Sequence, residues 1–255
     1  MRSEFVRAAL VLAFLPASAS AQSPSLTESQ ALAQLTPDNP RVRAINAAVD
    51  VARADVIAAG RWPNPHVTYD RESVAGVTEH LTMVGQPLPI TGRRPLEVSA
   101  ASALVDAASG RADDQLRRLR ADLRLAFADL IAAQQREREL TAIRDRLQEL
   151  AGVLAKREAA GEAAGFDRLR AEREVIELDI DRAAAASDRA RAQATLAGFL
   201  TSSAAAITVV GGTPSRVVVP TVDELMARAE QTRGEISALR HEAESASFAE
   251  RSGRF

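Results

Sequence analysis

Cysteine is absent from all 255 residues. Its absence excludes disulfides, thiolate nucleophiles and thiolate metal sites. It also excludes a lipid-modified N-terminal cysteine of the kind that anchors some exported proteins. Aromatic residues are scarce, at 4%, with one Trp and one Tyr, so a compact core built on large rings is not available. Excess charge of either sign is missing too. A formal net charge of -2 carries no polyanion-binding signal, and no nucleic-acid partner is expected. No Walker-type phosphate loop, nucleophile elbow or H-E-x-x-H occurs. Catalysis therefore has no residues to rest on, and neither enzymatic activity nor a cofactor is expected. After Gln22 no apolar run approaches the roughly 18–20 residues that a membrane helix needs.

What the chain has in quantity is alanine. Alanine favours helix and lets backbones approach closely, so the composition reads as long helices packed side by side. The N-terminus carries an export address over residues 1–21. Arg2 and Arg7 form a positive n-region, Ala8 to Leu15 an apolar h-region, and Ala19-Ser20-Ala21 a cleavage box, with Gln22 as mature start. An exported chain without an apolar helix is periplasmic, secreted, or inserted in an outer membrane as strands.

Residues 22–62 read as two helices. Leu26 to Leu35 is a short one, with Thr27 as N-cap and Gln30 as its capping-box partner. Pro37 and Pro40 break it. From Arg41 a second runs to about Gly60, with Val42, Ile45, Val49, Ala52 and Val56 on one face. Residues 63–90 change character. Pro63 and Pro65 end the helix, and His66 to Asp70 and Leu81 to Val84 alternate apolar and polar side chains around a turn at Gly76. This spacing predicts a β-hairpin, and Val67, Tyr69, Leu81 and Met83 are its candidate membrane-hairpin residues. Pro63/Pro65 and Pro87/Pro89 pin its feet. A lone hairpin is marginal in water and needs further strands, from this chain or its neighbours.

Residues 91–200 read as one long helical hairpin. From Leu96 to Ala160 no proline occurs, which gives a helix of about 100 Å. Its heptad seam is Leu116, Leu123, Leu130, Glu137, Arg144, Ala151, interleaved with Leu119, Ala126, Ala133, Leu140, Leu147, Leu154. Glu137 and Arg144 are charged breaks in that seam. Gly161 and Gly165 interrupt the helix, and a second begins at Phe166-Asp167 and runs to about Leu200. Its expected seam is Leu169, Ile176, Ala183, Ala190 and Ala197, with Ile180 and Ala194. Two such helices joined by a glycine turn at 161–166 make an antiparallel coiled coil. Residues 201–220 read as a linker. Residues 221–255 repeat the plan of the N-terminal helices at a shift of 194: Thr27 falls on Thr221, Val42 on Ile236, Ala44 on Ala238 and Ala52 on Ala246. This reads as the start of an incomplete second repeat.

Four short segments, in this order and spacing, resemble the TolC-like outer-membrane efflux family and, within it, the heavy-metal CzcC-like branch. They are Leu32-Ala33 through Asn39-Pro40-Arg41, Arg61-Trp62-Pro63-Asn64-Pro65, Gly85-Gln86-Pro87-Leu88-Pro89 with Gly92-Arg93-Arg94, and Gly161 through Glu172. The resemblance implies a mainly α fold: a long antiparallel helical hairpin, plus a two-stranded hairpin contributing to an oligomeric outer-membrane β-barrel. It implies a homo-trimer in outer-membrane lipid with a periplasmic extension, a periplasmic adaptor and an inner-membrane pump as partners, and no enzymatic activity. The glycine turn would then meet the adaptor through Arg157, Gly161, Glu162, Gly165 and Phe166. The plain alternative at that turn is two glycines chosen for backbone freedom. Family members carry two full repeats, so this chain is expected to be truncated in the second. The function so implied is a passive conduit for metal ions or small toxic compounds. The rivals are a periplasmic coiled-coil adaptor, a metal-binding protein and a non-functional channel fragment.

Candidate ligand groups are few. His66 and His80 would lie across from each other if the strands turned at Ser73, with Glu79 or Asp70 nearby. The plainer reading is two exposed strand-end histidines, and no metal site is expected. Asp113-Asp114, Glu172/Glu174 and Asp179/Asp181 are adjacent or two apart and do not face each other on a helix. They read as solvated faces paired with arginines.

Overall fold

The computed structural model describes residues 25–88, 90–162, 165–201, 207–211 and 219–254. The export address and Pro89 lie outside the described residues. The described chain is helical apart from two small sheets.

Helix α1 (Glu28–Ala33) begins with the expected capping box: Gln30 N donates to Thr27 Oγ1 at 3.3 Å, and Thr27 N donates to Gln30 Oε1 at 2.9 Å. Before it, strand β1 (Ser25–Leu26) pairs in parallel with β4 (Thr208–Val209). The 201–220 linker thus contains a strand that the sequence reading missed. The Gln134 amide, oriented so that both its groups are satisfied, donates to the Val209 carbonyl at 3.1 Å and accepts from its N–H at 3.3 Å. Helix α2 (Pro40–Ala59) starts on Asn39, with proline at its first position, where no intrahelical N–H is needed. Val42 and Val49 are its buried residues.

Helix α3 (Arg93–Ala159) is 67 residues long, or about 100 Å. Pro95 sits in its first turn, where the missing N–H breaks no bond. Around its N-terminal half lie α2 and α6 (Gly234–Ser252), the latter preceded by α5 (Val222–Thr232). Along its C-terminal half lies α4 (Gly165–Ala197). The core sits where these regions meet: Ala31, Val42, Leu119, Leu123, Ala126, Phe127, Leu130, Leu196, Phe199, Ile207 and Val209 form one cluster.

Asn39 ties this junction together. It is buried, its Oδ1 accepts from Arg41 N at 3.0 Å, and its Nδ2 donates to the Phe199 carbonyl at 2.9 Å. The Arg41 guanidinium stacks 4.3 Å above the Phe199 ring. Asn39→Ala removes a helix cap and leaves a buried carbonyl without its donor. It is expected to cost about 1–2 kcal/mol, read as a lower urea midpoint with unchanged slope.

The α3–α6 crossing is built from small residues. Gly110 on α3 meets Gly234 and Ala238 on α6, backbone against backbone. Beside it, Asp114 is buried, accepts from Arg117 and forms an ion pair with Arg118 at 2.8 Å. The Arg117 hydrogen bond holds the Asp114 carboxyl below its ordinary range. Burial opposes that shift, and the positive charges of Arg117, Arg118 and Arg233 reinforce it. A carboxyl with a depressed folded-state pKa stabilises the fold above its unfolded value, near 3.8, and loses that contribution as pH falls through the folded value. Asp114→Asn is therefore expected to make the acid limb of stability against pH shallower below about pH 4, by chemical denaturation across that range.

Candidate membrane hairpin and helical tip

Strands β2 (His66–Val74) and β3 (Val77–Gly85) are nine residues each, antiparallel, and joined by Ala75-Gly76. Both turn residues have positive φ, +53° and +85°, the backbone of a tight hairpin turn whose twist matches the strands. The sequence reading ended the first strand at Asp70 and started the second at Leu81. The pairing extends both to the turn. Residues 66–84 are all exposed, and Gly85 alone is intermediate, so neither face packs on the helical body. The feet are clamped. Gln86 Nε2 donates to the Pro63 carbonyl at 2.9 Å, and Arg94 donates to the Gly60 carbonyl while its guanidinium lies over the Trp62 ring.

The register places the candidate residues of the hairpin. His66 faces Gly85 and His80 faces Arg71, because the turn falls at Ala75-Gly76, as the glycine predicts. The two imidazoles do not meet. His80 Nδ1 instead lies 2.6 Å from the Tyr69 hydroxyl, with the rings stacked. Among the described residues no cluster of three His, Asp or Glu is arranged to hold a metal. The four candidate membrane residues also do not share a face. Tyr69 pairs with Thr82 and Val67 with Val84, whereas Leu81 pairs with Asp70 and Met83 with Thr68. With side chains alternating at each residue, Val67 and Tyr69 lie on one face and Leu81 and Met83 on the other.

On the rod, the α3 seam is as expected: Leu119, Leu123, Ala126, Leu130 and Ala151 are buried. The two charged breaks are pairs across the seam. Glu137 meets Arg189 at 2.5 Å, and Arg144 meets Asp179 at 3.1 Å. Asp179 holds the Arg144 guanidinium more firmly protonated than usual. The α4 seam differs from expectation. Ala171, Val175, Ala185 and Leu196 are buried, while Leu169, Ile176 and Ile180 are each more than half exposed. The inward row is 171-175-178-185-192-196. Its small residues allow closer helix approach than the larger outward ones would.

At the tip α3 ends in a Schellman motif. Gly161, at φ +74°, donates to the Glu158 carbonyl, and Glu162 N donates to the Arg157 carbonyl, both at 2.9 Å. Three side chains close it. Arg168 reaches Glu158 at 2.6 Å and Glu172 at 2.8 Å; Glu158 chiefly, and then Glu172, raises its pKa. Of the five tip candidates, Arg157 and Glu162 lie 4.0 Å apart on the surface, Phe166 is exposed, and Gly165 sits under the Glu158 carboxylate. Ala163 and Ala164 lie outside the described residues.

The strand pair on a rod of long paired helices has the fold of part of several solved outer-membrane channel structures. The structure of CusC, described in terms of folding and transmembrane channel formation, matches with a TM-score of 0.72 at 15% identity, over 91% of this chain and 58% of that one. A membrane protein from Pseudomonas aeruginosa matches at 0.70 and 20% identity, over 89% and 57%. The outer-membrane channel OprN matches at 0.67 and 21%, over 88% and 54%. The chain therefore spans a little over half the length of these structures. No protein-family model matches the sequence, and no curated protein matches it.

Proposed function

We propose that this chain builds part of an outer-membrane efflux channel, a passive conduit with no catalytic step. The hairpin supplies two strands to a barrel shared between protomers, and the α3–α4 rod carries the conduit into the periplasm. The observation that supports this reading best is the hairpin itself. Its nine-residue strands suit a bilayer crossing, and both of its faces lack a partner. In lipid, unpaired strand edges are tolerated only in a closed barrel, and two strands cannot close one. Further strands, from other copies or from the rest of a longer chain, follow from that need, and the homo-trimer that the family resemblance implies is the assembly proposed. The tip residues Arg157, Gly161, Glu162, Gly165 and Phe166 then form the contact with a periplasmic adaptor, which links the channel to an inner-membrane pump.

Residues 1–21 act as the export signal, and residues 221–255 open a second repeat. Two features support the repeat. Thr221-Glu224 forms a capping box as Thr27-Gln30 does, and α6 and α2 both lie along α3. The cargo is a metal ion or small toxic compound. The adaptor alternative is less favoured. An adaptor would flank its rod with β-rich halves, whereas the described residues that follow the rod hold one two-residue strand and two helices.

The test is fractionation of the full gene product. Recovery from the outer membrane as a detergent-stable trimer is expected. A soluble periplasmic monomer would overturn the proposal.

A further inference from the structure

The two hairpin faces differ in charge, and the difference orients the hairpin. One face carries the pairs Val67/Val84, Tyr69/Thr82, Arg71/His80 and Ser73/Thr78. The other carries His66/Gly85, Thr68/Met83, Asp70/Leu81, Glu72/Glu79 and Val74/Val77. We infer that the Val67/Tyr69/Thr82/Val84 face lies against lipid acyl chains, and that the Asp70/Glu72/Glu79 face lines the water inside the barrel. The inference rests on the membrane reading above and adds the sidedness.

Three observations carry it. First, all three of the hairpin's carboxylates between Asp70 and Glu79 are on one face. Barrel interiors are polar and exteriors apolar in the membrane band. Second, the polar groups on the opposite face largely satisfy each other. The Tyr69 hydroxyl meets His80 Nδ1 at 2.6 Å, and Ser73 Oγ meets Thr78 Oγ1 at 3.2 Å. Among the described residues Asp70, Glu72 and Glu79 have no hydrogen-bond or ion-pair partner, so their charges need water. Third, Glu72 and Glu79 lie directly opposite each other. Like charges so paired repel. Water and counter-ions screen that repulsion, and hydrocarbon would magnify it. The cost on the lipid side is Arg71, one guanidinium on a long apolar stem that can reach along the strand to the interface. Burying three carboxylates, two of them facing each other, costs more than placing that one.

The absence of native cysteine makes the test direct. Single cysteines at Val84 and Thr82, and at Glu79 and Glu72, carry nitroxide labels in the full protein reconstituted in phosphatidylethanolamine–phosphatidylglycerol bilayers. All four sites are exposed, so labelling spares the packing. Collision with oxygen, which enters lipid, is compared with collision with a water-soluble nickel chelate. The oxygen-to-nickel ratio is expected to be several-fold higher at 82 and 84 than at 72 and 79. The inverse alternation overturns the sidedness and leaves the membrane reading standing. Equal, high nickel access at all four sites overturns both.

Discussion

Leu130→Ala is expected to destabilise the protein by about 2–5 kcal/mol. Leu130 is fully buried in the cluster that brings together α1, the middle of α3, the end of α4 and β4. Truncation loses the transfer free energy of the removed carbons and adds the cost of the cavity left behind. The cavity cannot collapse easily. Its walls belong to segments far apart in sequence, and each is held by its own contacts: α1 by its capping box, the α4 end by Asn39 and Arg41 on Phe199, and β4 by β1. Urea titration should show a lower midpoint with an unchanged slope. Leu125→Ala serves as control. That residue lies on the same helix but is 62% exposed, and its loss should stay within about 0.5 kcal/mol.

The second large effect has the opposite sign to helix propensity. Replacing a helical glycine usually gains up to about 1 kcal/mol. Gly234→Val is expected to lose about 3 kcal/mol, because even a Cβ at 234 would overlap the Gly110 carbonyl oxygen. The obstruction is backbone rather than a flexible side chain, so α6 must move away from α3. The Arg118–Glu235 and Arg111–Glu242 pairs across that interface should weaken with it. Gly152→Ala, on α3 where an added Cβ meets nothing within 4 Å, should be neutral or mildly stabilising in the same thermal melt.

Much of this architecture is legible in the amino-acid sequence. Local chemistry marks the cap at Thr27, the hairpin turn at Gly76 and the helix end at Gly161. The α3 seam is legible because its leucines recur in one phase. The α4 seam is not, because two phases of that helix are apolar. Leu169, Ile176 and Ile180 are the larger set and point outward, while Ala171, Val175 and Ala185 pack inward. Side-chain size favours the wrong phase, and only the neighbouring helix decides. The Gly110–Gly234 crossing and the β1–β4 pair join residues far apart in the chain and leave no periodic trace. For the hairpin, alternation shows that strands form. Which residues share a face depends on the register, which the two-residue turn at Ala75-Gly76 sets. That register separates His66 from His80 and puts Leu81 and Met83 on the face opposite Tyr69.

The central claim is that the hairpin crosses the outer membrane while the rod stays beneath it. A cysteine-free background again allows a direct reading. Val77→Cys, beside the turn, and Glu162→Cys, at the rod tip, are each treated in intact cells with a membrane-impermeant maleimide. The account predicts labelling at 77 in intact cells, and at 162 only after the outer membrane is permeabilised. If residue 77 also stays unlabelled until permeabilisation, the hairpin does not reach the cell surface and the account is contradicted.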